Sequence, residues 1–331
     1  MKKQKEFYSL VEKLSNKYSP NTQLHAGKSH ISIENTQVFK LRESIQQNSD
    51  FLKNINMFTV FDSIGDKLSC VSKNITGRQE NSRNVAQVEH DNQRYELIET
   101  DSGVLIPWHL LDHFALYQKE QEARYEKYIQ TQIALDMLQI GWYGNSIASS
   151  TTKDDLSDVN KGWLTLLAEQ RSKGFMTEGS QKTGAIKIFG ENADFVNLDQ
   201  LALELKQALD RRHQCRNDLV FLVGSELVAK EKTPIYQHIG NNGQDVLSAH
   251  YLTNNFGGMP AIIPPNFPEK CAVVTTLKNL SIYDLADSQR ISIRQDDDNK
   301  AIIHSYLRHE AYVIEDLSLM AAIDHTKVTL G

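Results

Sequence analysis

The chain has 331 residues, 40% of them apolar and 24% charged, with a mean hydropathy of -0.45 and a formal net charge of -6. These values describe a soluble globular protein of two domains or one elaborated domain, with enough apolar residues for a substantial core. They exclude a membrane helix, since no run reaches the roughly 18 to 20 apolar residues required, and Lys2, Lys3 and Lys5 are not followed by the apolar core of a signal peptide, so folding in a cytoplasm is expected.

Residues 1–28 carry six lysines against Glu6 and Glu12, a local charge of +4 on an otherwise acidic chain. Such an arm either meets an acidic partner or nucleic acid, or is a solvated amphipathic segment; the acidic body argues against sequence-specific DNA binding. Phe7, Leu10, Val11 and Leu14 recur at helical spacing, predicting a short amphipathic helix over 5–17 that ends before Ser19-Pro20. Residues 20–35, rich in Asn, Ser, Thr, Gly and His, read as an exposed linker that would be easy to cut. A helix over 35–47 and a capped turn over 49–57 leading into a strand follow. Strand-like runs near 67–72 and 94–99 then flank more than twenty polar residues. A loop this long in a compact domain is usually functional or disordered. It reads as a projecting hairpin, and because an isolated two-stranded hairpin is marginal in water, the expected brace is another subunit.

Pro107 is placed to open a long helix over 108–140, free of Gly and Pro and stopping at Gly141; 33 residues would span roughly 50 Å. Leu110, Phe114, Tyr117, Gln121, Tyr125, Tyr128, Gln132 and Leu135 trace one stripe of it, read mostly as core. The second half reads as mixed α/β: a helix over 198–213, a buried strand over 219–223, a short helix over 225–230, strands at 261–263 and 272–275, a meander of 290–294, 301–308 and 310–315, and a closing run over 320–328.

No stretch carries a convincing catalytic or cofactor motif, so catalytic, cofactor-binding and metal residues are all expected to be none. His109 and His113 lie four apart on a helix, but position 110 is leucine where a zinc protease needs its glutamate base, and no third ligand follows. Asp296-Asp297-Asp298-Asn299 lacks the ligand alternation of a calcium loop and reads as a hairpin tip. Gly240-Asn241-Asn242-Gly243 has neither the Lys-Ser/Thr of a phosphate loop nor a dinucleotide fingerprint, and Ser225 after Gly224 lacks the closing glycine of a nucleophile elbow. Cys70, Cys215 and Cys271, odd in number and far apart, read as reduced structural thiols.

Specific strings carry further information. Gly258-Met259-Pro260-Ala261 through Pro264-Pro265-Asn266-Phe267-Pro268 and Thr276-Leu277-Lys278-Asn279-Leu280-Ser281-Ile282-Tyr283 resemble the major capsid proteins of Peduovirus-type contractile-tailed bacteriophages. So do Asn48-Ser49-Asp50-Phe51-Leu52, Gly141-Trp142-Tyr143-Gly144, Gly162-Trp163-Leu164 and Tyr312-Val313-Ile314-Glu315-Asp316, in the same order across almost the whole chain. The resemblance implies an α+β, HK-ninety-seven-like capsid fold. Its segments would be an N-terminal arm (1–57), an extended loop (58–105), a peripheral domain with the spine helix (106–189 and 286–331) and an axial domain (190–285).

It also implies a structural protein rather than an enzyme, without cofactors, that assembles with itself as pentamers and hexamers into an icosahedral shell around double-stranded DNA. The further partners implied are an internal scaffolding protein that doubles as a protease and a portal protein, and membrane is not among them. Assembly would take place in the bacterial host cytoplasm, and the first ~30 residues would be removed on maturation, with the cut expected in the polar linker 20–34. A non-viral compartment shell of the same fold and, on the two histidines, a metallohydrolase are the competing readings. No lysine-asparagine pair stands out for a covalent cross-link.

Overall fold

Period-two alternation in the last third of the chain, and helical spacing of apolar residues before it, produce a mixed α/β architecture. The computed structural model describes residues 30–32, 35–67, 76–80, 83–85, 93–109, 118–180, 184–239 and 255–331. In chain order its elements are β1 (His30–Ser32), α1 (Asn35–Gln47), β2 (Asn56–Val60), β3 (Ile64–Asp66), β4 (Arg94–Glu96), β5 (Ile98–Pro107), α2 (Gln118–Tyr143), α3 (Trp163–Gln170), β6 (Phe175–Met176), β7 (Ile186–Ile188), α4 (Leu198–Ala208), β8 (Val220–Val223), α5 (Ser225–Ile239), β9 (Asn255–Phe256), β10 (Met259–Ile262), β11 (Ala272–Thr275), β12 (Leu280–Leu285), β13 (Arg290–Asp296), β14 (Ala301–Ile314), β15 (Ala321–Ile323) and β16 (Val328–Leu330).

β14 organises the first sheet. β13 and then β12 run end to end along one of its edges and β5 along the other, while β1 and β2 flank β13 and β12. Because side chains alternate across a strand, Tyr306, Tyr312 and Ile314 of β14, with Ile282, Met57 and Ile291, face the core, where they meet Leu41 and Ile45 of α1 and Ile129, Ile133, Met137 and Leu138 of α2. The opposite face carries a small cluster of Leu97, Tyr283, Ala311 and Val313 with Tyr95 packed on it.

The second sheet has the order β6-β15-β11-β8-β10-β9 and is buried on both faces. Val220, Leu222, Val273 and Ala322 turn toward the core shared with the first sheet, and Phe221, Val223, Val274 and Ile323 pack on Leu198, Leu201 and Leu205 of α4. This two-sided burial explains why β8 and β11 read as continuous apolar runs.

Several expectations change. β14 is one fourteen-residue strand where two were expected, 301–308 and 310–315. Arg308-His309-Glu310 looks like a polar break, yet Arg308 and Glu310 neutralise each other inside the core and the ladder continues. The long helix does not stop at Gly141; it runs to Tyr143, because Gly141 leaves room for the Trp163 ring against the helix, and the turn comes at Gly144, where a Cβ would collide with the Asn160 carbonyl oxygen. Pro107 is the last residue of β5, and helical residues follow it at Trp108 and His109 as expected.

The 26 residues of α2 span roughly 39 Å. Its stripe is not core where described: Tyr128 and Gln132 are exposed and Leu135 is half-buried, whereas Ile129, Ile133, Ala134, Met137, Leu138 and Ile140 are buried. α4 ends at Ala208, not His213, and α5 continues past Lys230 to Ile239. The predicted helix 5–17, most of the 20–35 linker, Cys70, His113, Leu110, Phe114, Tyr117, Gly240–Gly243 and the side chains of Gln121 and Tyr125 lie outside the described residues.

Candidate assembly surfaces

The chain leaves the first sheet through β2 and returns to it through β5. Between them β3 and β4 pair as an antiparallel ladder, Ile64 with Glu96 and Asp66 with Arg94. The base of this projection is clamped to the sheet. Tyr95 packs edge-on against Tyr283, with ring centroids 5.2 Å apart, and Tyr283 donates its hydroxyl to Glu315 Oε1 at 3.0 Å. Burial, reinforced by that carboxylate, pushes the Tyr283 phenol above its ordinary range, so it remains a donor. Gly65 lies under the Tyr95 ring, where a Cβ would collide with it. Lys67 is buried; its ammonium donates to the Ile314 carbonyl and, at 3.2 Å, to Gln93 Oε1, while its backbone N–H donates to the Gln93 carbonyl at 2.8 Å. The two ends of the 68–92 segment are thereby tied to the end of β14.

Apolar side chains remain in water above this clamp. Phe61 is 85% exposed, and Phe58, Ile64 and Val85 are also exposed. Single exposed apolar residues need no explanation, but Phe58 of β2, which also packs edge-on against Tyr283, and Phe61 and Ile64 leading into the projection fall within seven positions. Periodicity could not single them out, because Met57-Phe58-Thr59-Val60-Phe61 reads as an ordinary strand; the signal was the long polar insertion that follows.

The arm is anchored by a second polar system. Arg42 of α1 donates to Thr59 Oγ1 and to Asp284 Oδ1, the latter at 3.0 Å, and Asp284 also accepts from Thr59 at 3.0 Å and from Gln289 at 3.0 Å, which in turn accepts from Tyr306 at 2.7 Å. Burial raises the Asp284 carboxyl, opposed by Arg42 and Thr59. Ser44 of α1 and Asn48 just beyond it both reach Gln130 Oε1 on α2. At the centre of the sheet Arg308 meets Glu310 at 2.7 Å and Ser102 Oγ at 2.8 Å, and Asn160 donates to the Glu310 carbonyl at 2.9 Å.

Trp142, Trp163, Phe51, Phe267 and Tyr312 interlock edge-to-face where α2, α3 and the sheets converge. Arg171 donates to the carbonyls of Leu317, Met320 and Ala208 at 2.9 Å each, stapling the second sheet's loops.

None of the motif-like strings forms a reaction site among the described residues. His109 is exposed just after β5, and among the described residues no group of three His, Cys, Asp or Glu could hold a metal. Asp297 to Lys300 form the hairpin turn between β13 and β14. Ser225 opens α5, and Gly224 before it accommodates the Glu269 carbonyl. Cys215 is exposed and Cys271 buried, both as free thiols, and burial pushes the Cys271 thiol far above its ordinary range. Among the described residues no helix is long and apolar enough to cross a membrane.

The family model described as "Phage major capsid protein, P2 family" matches residues 6–326. The capsid protein of Escherichia phage P2 is 26% identical over 314 residues, covering 90% of this chain and 87% of the relative. The major capsid protein of Serratia phage KSP20 is 24% identical over 310 residues, covering 88% of each. Among solved structures, the satellite phage P4 procapsid that includes the size-determination protein is similar over 99% of this chain and 98% of its own, with a TM-score of 0.77 at 24% identity. The capsid of an empty GTA particle is similar over 83% of this chain and 89% of its own, with a TM-score of 0.51 at 14% identity.

Proposed function

The chain belongs to the P2 family of phage major capsid proteins, and on that footing we propose that it assembles with itself, through pentamers and hexamers, into an icosahedral shell that encloses double-stranded DNA. Its relatives are structural subunits of virions rather than enzymes. The observation that carries the reading is the clamped projection: Ile64 on the hairpin, Phe61 where the chain enters it and Phe58 on the adjoining β2 stand exposed beside a hairpin fixed by Tyr95, Tyr283 and Lys67. Exposed apolar groups on a rigid support are worth most when a neighbouring copy removes them from water, at about 25 cal/mol per Å². Repeated heterologous contacts of that kind close into rings when the rotation between copies allows it.

The domain division fits this role: an arm over 1–57, an extended loop over 58–105, a peripheral domain over 106–189 and 286–331, and an axial domain over 190–285. The sheets share strands across those ranges, since β12 lies in the first sheet and β15 in the second, so the two domains would move as a firmly joined pair. Assembly would take place in the host cytoplasm around an internal scaffolding protein with protease activity, a portal protein would occupy one vertex, and the first ~30 residues would be removed on maturation. The net charge of -6 suits a wall that encloses DNA without gripping it.

Electron microscopy of the full chain, expressed alone and together with the proposed scaffolding protein, tests the assembly: closed shells are expected, and a chain that stays monomeric under both conditions overturns the reading. N-terminal mass analysis of mature particles tests processing; an intact Met1 or Lys2 terminus on every copy rejects it.

A further inference from the structure

β2 is short, and much depends on it. Among the described strands it pairs with β12 alone, over five residues, from Asn56 level with Ser281 to Val60 level with Leu285. The exposed Phe61 follows it directly, and Ile64 and the β3–β4 ladder come next. Whatever fixes β2 therefore fixes where those apolar side chains stand.

Side chains alternate across a strand, so β2 is gripped on two faces. On the outward face Phe58 packs edge-on against Tyr283, with ring centroids 6.0 Å apart, and Tyr95 of the hairpin meets the same ring. On the inward face the grip comes from α1. One guanidinium nitrogen of Arg42 donates both to Thr59 Oγ1 and, at 3.0 Å, to Asp284 Oδ1, and these two acceptors are level with each other across the β2–β12 pair. Thr59 donates in turn to Asp284 Oδ2 at 3.0 Å, closing the triangle. One turn further along α1, Gln46 donates to the Leu52 carbonyl at 3.0 Å and to the Ile55 carbonyl at 3.3 Å, at the entrance to β2. Gln289, anchored by Tyr306, holds Asp284 from the sheet side, so the carboxylate stays with the sheet and Arg42 is the group that leaves with α1.

We propose that α1 is a lock on β2: with Arg42 seated between Thr59 and Asp284 the strand holds Phe61 and the root of the hairpin in one position, and withdrawal of α1 releases them.

Charge and burial make Arg42 the working part. A hydrogen bond between charged groups is stronger than the neutral bonds of a strand ladder, and here a single cation joins the helix, the short strand and its neighbour. The Asp284 side chain is 7% exposed and that of Arg42 19%. Phe39, one turn earlier on α1, places its ring 5.2 Å from the guanidinium carbon and shields it further. Withdrawing the helix would leave a buried carboxylate without its cation, an unfavourable state that ties the position of β2 to that of α1. The consequence for assembly rests on the shell reading above, in which Phe61 and Ile64 meet a neighbouring copy. The lock itself is a property of the single subunit, so either can fail alone.

Hydrogen exchange in the unassembled full chain tests the lock, followed at the amides of β2 and at Ala286, whose N–H donates to the Val60 carbonyl at 2.8 Å. Arg42→Met should speed exchange there about tenfold or more, the effect of losing a hydrogen bond between charged groups, while β8 and β11 keep their rates. Arg171→Met, which removes the staple of the second sheet's loops, is the control and should leave β2 unchanged. Unchanged β2 exchange in Arg42→Met overturns the proposal. So does an equal rise in β8 and β11, or a rise in β2 that Arg171→Met reproduces, since either marks a general loss of stability. Thr59→Val keeps the shape of the strand and removes only the bridging hydroxyl, and should speed the same amides a few-fold. It keeps the lock open to refutation if Arg42→Met does not fold, because an unchanged rate in Thr59→Val overturns it equally.

Discussion

Breaking the Arg308–Glu310 pair should cost far more than removing any surface ion pair. The two side chains are 2% and 1% exposed and 2.7 Å apart, in the middle of β14 between β5 and α2. Arg308→Met leaves the Glu310 carboxylate buried with, among the described residues, only the Tyr312 hydroxyl at 3.3 Å as a remaining side-chain donor. Loss of one partner of a buried pair typically costs about 3–5 kcal/mol. The reciprocal Glu310→Leu leaves the guanidinium with the Ser102 hydroxyl and the Tyr306 ring 5.4 Å away and belongs in the same range. The double variant removes both charges and orphans only the Tyr312 and Ser102 hydroxyls, at about 1–3 kcal/mol for each group left unsatisfied, so it should be much less destabilised than the sum of the singles.

Urea unfolding of the unassembled subunit measures all three. With a slope of about 3 kcal/mol/M, each single variant lowers the midpoint by roughly 1 to 1.7 M. Single variants that cost under about 1 kcal/mol, or a double variant equal to the sum of the singles, would refute the claim that β14 stays continuous because the pair neutralises itself.

Phe61→Asp should leave subunit stability within about 0.5 kcal/mol, as for other exposed sites, while abolishing closed shells in electron microscopy; normal shells would remove the projection from the assembly surface. Gly162→Ala drives a Cβ into the Gly141 carbonyl and should cost at least about 1–3 kcal/mol in the same urea assay, with no loss marking the α2–α3 contact as looser than described.

Burial holds the His304 and His325 imidazoles below their ordinary 6.5, so the unfolded chain binds their protons first. Their stability contribution is intact above pH 6.5 and is lost as pH falls below it toward the folded values, by at most about 1.4 kcal/mol per pH unit for each. His325→Gln should flatten that part of the stability-pH curve, and an unchanged curve between pH 7 and 5 would show that His325 does not carry it. Asp316 behaves as an acid held low: burial raises it, but hydrogen bonds from the Ser318 hydroxyl and backbone, helped by His213 and Arg212, more than offset that. Its contribution is present above pH 3.8 and disappears as pH falls through the lower folded value, a loss that Asp316→Asn should remove from acid unfolding curves.

How much was legible can be traced residue by residue. The α1 limits and the β8 and β11 strands follow from local apolar spacing, because 3.6- and 2-residue periods and unbroken apolar runs report burial directly. The capsid family was readable from strings such as Gly141-Trp142-Tyr143-Gly144 and Gly162-Trp163-Leu164, and the structure supplies their reason: Gly141, Gly144 and Gly162 are the points where α2 and the start of α3 approach closely, with the two tryptophans stacked edge-on between them. Gly141 nevertheless misled as a helix stop, because the same residue type serves a turn and a close contact.

What the sequence alone determined is therefore the class of protein, the local elements with one period or one dominant composition, and the absence of a motif for chemistry. What only the tertiary structure decided is everything set by partners distant in the chain: that Arg308 and Glu310 neutralise each other so that β14 runs unbroken, that Tyr128 faces water while Ile129 faces the core, and that Lys67 closes on Ile314. Periodicity reports how a residue relates to its near neighbours; charge pairing, helix rotation and face coverage depend on contacts between residues up to some 250 positions apart, such as Arg42 and Asp284 (|i−j| = 242), and those are fixed only when the chain is packed.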